Sequence, residues 1–308
     1  MSLDRRSFLA NTATVGAGLW LESQLAAHRP ARADTSSFST DPVAMVPLGK
    51  HLKATRIGIG FGMRAFNRQS NLTRRGLDHA ERIVRCAYDA GIRLFDNADL
   101  YGSHQYVARA LRDKPRDSYV LVTKVWFHPS GIPAEDRTDA DKAVQRFLKE
   151  LNTDYIDLVQ IHCMMNGQWT DTMRRQMDLL EDLKQKGLIR AHGVSCHAVS
   201  ALEAAAESDW VDVVHARVNH LGTKMDDKPE VVMPVLKRIH DSGKGVIGMK
   251  IVGEGAFRND PALRDRAIEF ALRSGCVDVM IVGFELPEEI DDFKQRVAST
   301  LEKLASVA

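Results

Sequence analysis

Four residue types in this chain could together protonate a carbonyl oxygen. An acid, Asp96, and a phenol, Tyr101, lie five residues apart in FDNADLYGSH; Lys124 ends the apolar run YVLVTK, and His162 follows YIDLVQI. A free tyrosine titrates near ~10 and a lysine near ~10.4, and an ammonium beside a phenol favours its ionised form and eases donation of its proton. A carboxylate paired with the lysine keeps it charged and aimed, and a histidine can bond the same substrate oxygen. Such a set is a general-acid site for a carbonyl becoming an alkoxide, where placed proton donation gives about 10²- to 10⁴-fold. Cationic and hydrogen-bonding groups then stabilise the developing negative charge. Singly, each residue has an ordinary role: a helix cap, a lysine reaching solvent, a satisfied histidine, a loop tyrosine. The small residues Gly102 and Ser103 are expected to leave room around the phenol.

Elements that would position these residues are written in the periodicity. Eight β-rich runs, at residues 56–60, 92–95, 118–124, 155–161, 189–194, 211–215, 245–250 and 277–282, alternate with amphipathic helical patterns such as 77–90, 141–151, 172–186 and 229–242. Gly91, Gly187 and Gly243 stand where helices should stop. Eight strand–helix units predict an α/β fold, a (β/α)8 TIM barrel; an open doubly wound sheet satisfies the same periodicity. In a barrel the chemistry lies at the carboxyl ends of the strands. The polar residues there are Asp96, Lys124, His162, Ser195, His215, Lys250 and Glu285, with Arg217 two residues beyond His215.

With these residues in place, the chain resembles the aldo-keto reductase family. FDNADLYG is similar to the family's segment carrying Asp and Tyr after the second strand, LVTKV to its lysine strand and YIDLVQIHC to its histidine strand. LKQKGLIRAHGVSCH resembles the approach to its nicotinamide-binding fifth strand, and MVPLGKHLKATRIGIGFG its hairpin and first strand. The resemblance implies that Tyr101 donates the proton, Lys124 lowers its pKa, Asp96 holds Lys124 and His162 orients the carbonyl. It further implies hydride delivery from NADP or NAD in reduced form to a small-molecule aldehyde or ketone.

The expected nucleotide contacts are Ser195, Cys196, His215, Met249, Lys250, Gly253, Gly283, Glu289 and Asp292. Several depart from the family pattern. Cys196 replaces the usual Asn after Ser195, His215 stands where Gln is common, and Met249 replaces the stacking tyrosine. In IVGFELPEEIDD, Glu285, Glu288 and Glu289 occupy a segment where NADPH-preferring relatives carry Lys or Arg. Like charges near a phosphate are destabilising, which points to NADH or to altered nucleotide binding; Lys250 or Arg258 supplying the charge is the alternative.

Composition and the amino terminus bound the setting. With 308 residues, 44% hydrophobic and 27% charged, the chain can bury a full core, and a net charge of +1 gives no electrostatic reason to expect nucleic acid or a membrane as partner. Residues 1–33 hold an arginine pair before Ser7-Phe8-Leu9, a short apolar stretch and Ala31-Arg32-Ala33, the parts of an export signal resembling the twin-arginine type. The expected organisation is a signal at 1–33, a linker at 34–44 and a barrel at 45–308. It implies contact with the twin-arginine export machinery during transport, a periplasmic or otherwise exported location, and no membrane attachment of the mature form. Cys86, Cys163, Cys196 and Cys276 lack metal-knuckle spacing, and Cys163 with Cys196 is the pair to inspect for a disulfide. Two other classes stay open: a metal-dependent barrel using His162, His197, His215, His220, Cys196 and Asp226, and an exported reductase-like barrel that binds without turnover.

Overall fold

The computed structural model describes residues 39–307, so the expected export signal lies outside the described residues, as does the first part of the linker. A hairpin of β1 (Met45–Leu48) and β2 (Leu52–Thr55) comes first. Eight strands follow: β3 (Ile57–Gly60), β4 (Leu94–Asp96), β5 (Val120–Val125), β6 (Ile156–Met164), β7 (Ile189–Cys196), β8 (Val213–Arg217), β9 (Gly245–Met249) and β10 (Val279–Val282). All pair in parallel in chain order, and β10 pairs with β3, so the barrel is closed and the open sheet is excluded.

Helices cover the outside. They are α1 (Leu77–Asp89), α2 (His104–Leu111), α3 (Ala140–Leu151), the short α4 (Trp169–Thr172), α5 (Arg174–Gln185), α6 (Val199–Glu207), α7 (Pro229–Asp241), α8 (Pro261–Arg273) and α9 (Pro287–Ala305). The predicted helices match α1, α3, α5 and α7 to within two residues at each end. Gly91, Gly187 and Gly243 follow α1, α5 and α7 with φ of 94°, 73° and 84°, a region where a side chain would be strained. No helix among the described residues is long and apolar enough to cross a membrane.

Strand parity divides the core in two. Leu94, Val120, Val122, Leu158, Ala191, Val213, Ile247, Val279 and Ile281 fill the barrel interior, and Leu48, Leu52 and Ala54 of the hairpin pack onto this same cluster. The alternate residues Phe95, Leu121, Val125, Val159, Ile161, Val194 and Val214 face the helices. Successive side chains in a strand point to opposite faces. Asp96, Lys124, His162, Ser195 and His215 therefore continue the interior rows towards the carboxyl ends. Cys196, one step out of phase, packs with the outer cluster.

Candidate active site

Asp96 is the last residue of β4 rather than the first after it, and Lys124 is the next-to-last residue of β5. Both are almost completely buried, and the Lys124 ammonium donates to the Asp96 carboxylate and, at 2.9 Å, to the Asn97 carbonyl. His215 Nε2 lies 3.1 Å from the same Asp96 oxygen. Burial alone would raise the Asp96 pKa, but Lys124 and His215 more than offset it and hold the acid below its ordinary value. Burial lowers the Lys124 pKa against the opposing pull of Asp96. Unpaired, either charge would be costly at this depth.

Tyr101 ends a short 3-10 turn after β4. Its ring lies 5.2 Å from the Lys124 ammonium and meets the His162 ring edge-on at 5.5 Å. The electrostatics differ from the sequence expectation. Burial pushes the phenol well above its ordinary range, and Asp96 and Cys163 push the same way. The ammonium is neutralised by its own carboxylate, so it does not make the phenol easy to ionise in the resting site. Burial therefore keeps the Tyr101 phenol in its neutral, protonated form. Burial, with Lys124 adding to it, drives the His162 pKa well below its usual value, so this imidazole is neutral.

Room for the phenol comes from a residue that the sequence did not single out. A Cβ on Gly62 would lie 2.5 Å from Tyr101 Cζ and 2.7 Å from its hydroxyl. Gly102 instead makes space for backbone, since its Cβ would lie 2.0 Å from the Arg68 carbonyl oxygen. Ser103 donates to Asn97 Oδ1 at 2.8 Å rather than bordering the phenol.

From Asp96 and Tyr101 a groove with a cavity of about 180 Å³ runs to the start of α9. Of the residues expected to touch a nucleotide, Met249, Lys250, Gly283, Glu289 and Asp292 line it, together with the unforeseen Arg264 and Phe293. Gly253 stands just off the lining, between Val252 and Glu254, which do contribute. Ser195, Cys196 and His215 do not line it. Ser195 Oγ accepts from Cys163 N at 2.8 Å, His215 is committed to Asp96, and Cys196 faces the helices because Ser195 faces inward. All four cysteines are free thiols, so the Cys163–Cys196 bridge is not formed.

Charge in the groove is paired throughout. Lys250 meets Glu254 at 2.8 Å, Arg258 meets Glu289 at 2.6 Å, and Arg264 meets Asp292 at 3.6 Å. Glu285 is buried and takes Arg75 at 2.7 Å and Asn71 at 3.0 Å. Glu289 also accepts from the backbone amides of Glu285 and Leu286 at 2.7 and 3.2 Å, so it caps α9 with its own carboxylate. Amides at a helix start and a nearby arginine are what an anion would use. Here an internal acid engages both.

Beside β9, at the end of β8, Arg217 bonds Asp226 at 3.1 Å and also His197 Nδ1. Burial pushes Asp226 up to about 6 against Arg217, and burial with Arg217 beside it takes His197 down to about 3. Arg217 is thus held by an ion pair at the end of β8. Among the described residues no three metal-ligating side chains gather. Trp169 is buried and donates to the Ala201 carbonyl, whereas Trp126 stands 5.0 Å from His162 at the mouth.

Comparison with known proteins agrees with this fold. The model of the aldo/keto reductase family matches residues 58–307, and the chain belongs to that family. It is 32% identical over 164 residues to the aldo-keto reductase YhdN of Bacillus subtilis, a match covering 50% of this chain and 47% of that protein, so it spans about half of that relative. A D-threo-aldose 1-dehydrogenase from a Pseudomonas species is 23% identical over 256 residues, 72% of this chain and 70% of the relative. In fold it resembles a Bombyx mori aldo-keto reductase solved in complex with NADP, with a TM-score of 0.61 and 19% identity over 84% of this chain and 92% of that one.

Proposed function

We propose that this protein is an oxidoreductase that reduces an aldehyde or ketone to the alcohol, with Tyr101 as general acid. The observation that carries the reading is the Tyr101 phenol set between the groove and the His162 ring and backed by the buried Asp96–Lys124 pair. Tyr101 gives its proton to the carbonyl oxygen as negative charge develops there, His162 orients that oxygen, and Lys124 stabilises the tyrosinate left behind. Such donors act strongly where they are preorganised towards the developing charge. A proton from solvent then restores the phenol.

The groove suits a nicotinamide dinucleotide with a free ribose hydroxyl. Met249 and Gly283 would border the nicotinamide half near Tyr101, and Glu289 and Asp292 would accept from hydroxyls at the α9 end. When bound in reduced form, the dinucleotide supplies the hydride. A 2′-phosphate would meet Glu289 in place of an unpaired cation, so the proposed preference is for NADH. The NADP-bound relative and the aldose dehydrogenase named above support nicotinamide chemistry in general. We further assign the protein to the periplasm or another exported location, reached folded through a twin-arginine-type signal.

Fluorescence titration with both nucleotides tests the nucleotide reading, and mass spectrometry of any small molecule released from the natively exported protein extends it. Tighter binding of NADH is expected. Tighter NADPH binding contradicts the preference, and binding of neither would make this a barrel that holds another ligand without turnover.

A further inference from the structure

The turn that carries Tyr101 is gripped from outside by charged side chains that the acid site itself does not use. Asp99, two residues before Tyr101, has a side chain only 2% exposed. Arg146 of α3 donates to both of its oxygens, at 3.1 and 2.7 Å, and Arg68 donates to one of them at 2.8 Å. Arg68 reaches Asp136 with its other amino group at 2.8 Å. The chain of contacts then continues to the lysine strand. Arg146 bonds Glu150 at 2.9 Å, Glu150 bonds His104 Nδ1 at 2.6 Å, and His104 Nε2 lies 2.7 Å from Thr123 Oγ1, the residue before Lys124.

These contacts join the two halves of the acid site by a second route. One end fixes the backbone just before Tyr101; the other fixes the strand residue beside Lys124. Burial works against the Glu150 carboxylate, yet the bonds from His104 and Arg146 hold it down at about 2, so Glu150 is charged throughout the neutral range. The Arg68 backbone also touches the turn, because its carbonyl oxygen occupies the space that a Gly102 side chain would need. Exposed ion pairs contribute little. A buried carboxylate with three charge-assisted bonds is different, since each bond is shorter and stronger than a neutral one.

We propose that Arg68 and Arg146 are positioning residues that set Tyr101 against Lys124, and that Arg68, by also holding Asp136, ties two loops flanking the mouth to the phenol. The inference rests on the reading of Tyr101 as proton donor. A displacement of about 1 Å at a reacting group costs up to about 10²-fold in rate, which is the scale on which the clamp acts.

The test compares Arg68→Gln, Arg146→Gln and Arg146→Lys in the full folded chain. With ring-labelled tyrosine, the Tyr101 resonance is assigned by its loss in Tyr101→Phe. Arg68→Gln and Arg146→Gln are expected to move that resonance while those of Tyr88, Tyr106, Tyr119 and Tyr155 stay in place. With NADH and methylglyoxal as probes, kcat should fall about tenfold with little change in KM or NADH affinity, and Arg146→Lys should recover part of it. An unmoved Tyr101 resonance overturns the proposal, as does a general shift of all five tyrosines or an unchanged kcat. Should the wild type not turn the probes over, the resonance alone decides. A moved resonance combined with equal turnover by wild type and Tyr101→Phe would leave the clamp standing and remove Tyr101 as donor.

Discussion

The two ends of the groove solve opposite electrostatic problems. At the Tyr101 end, Asp96, Lys124, His162 and His215 are buried in the barrel mouth, and the one ion pair is flanked by the Asn97 carbonyl and by His215. At the α9 end, Glu285, Glu289 and Asp292 stand among arginines, and each lining cation is matched by an acid. The first arrangement keeps a neutral phenol beside a buried, closed ion pair. The second offers hydrogen-bond acceptors and withholds net positive charge. Under the proposed function, reactivity belongs to the first end and nucleotide choice to the second.

Breaking the buried pair should have the largest effect on stability. Lys124→Met leaves Asp96 buried without its ammonium, and a loss of about 3–5 kcal/mol should appear in denaturant unfolding; a change under ~1 kcal/mol would show that the pair is not what holds this end together. Gly62→Ala places a methyl against the phenol and should lower turnover by about tenfold to 10²-fold while thermal unfolding stays nearly unchanged. Equal turnover would mean that Tyr101 can move without cost.

At the other end the effects should be smaller and separable. Glu289→Gln removes the acid that competes for Arg258 and should narrow the gap between NADH and NADPH affinity by about tenfold, the weight of ~1.4 kcal/mol. An unaltered ratio would place nucleotide choice elsewhere. The smallest effect is a pH dependence at Asp226. Its folded pKa of about 6 lies above its ordinary value of 3.8, so the folded state binds the proton more tightly and stability falls as pH rises from about 4 through 6. Asp226→Asn should flatten that part of the melting-temperature profile, and a profile parallel to wild type would contradict the shift.

Much of this was legible in the sequence because barrel strands are buried on both faces and read as continuous apolar runs. All eight appear, displaced by a few residues at their ends, as with Asp96, which belongs to β4. The four acid-site positions were also legible, since the side chains of Asp96, Lys124 and His162 continue the interior rows that the apolar residues establish. The same alternation shows why Cys196 packs with the outer cluster while Ser195 faces the interior: adjacent strand residues face opposite sides. Other features depend on loops and distant helices. The Asp99 clamp joins residues 31 and 47 positions apart, and nothing periodic marks them. Pairing of Arg258 with Glu289 depends on the path of the loop after β9, which local sequence does not encode. The phenol's raised pKa follows from burial, a depth that the neighbouring lysine alone could not reveal.

The central claim is that Tyr101 supplies the proton. Its direct test is the rate of NADH oxidation with methylglyoxal by Tyr101→Phe beside wild type, with NADH affinity measured on both by fluorescence. The account predicts nucleotide binding equal in the two and turnover reduced by about 10²- to 10⁴-fold in the variant. Turnover by the variant at the wild-type rate would contradict it.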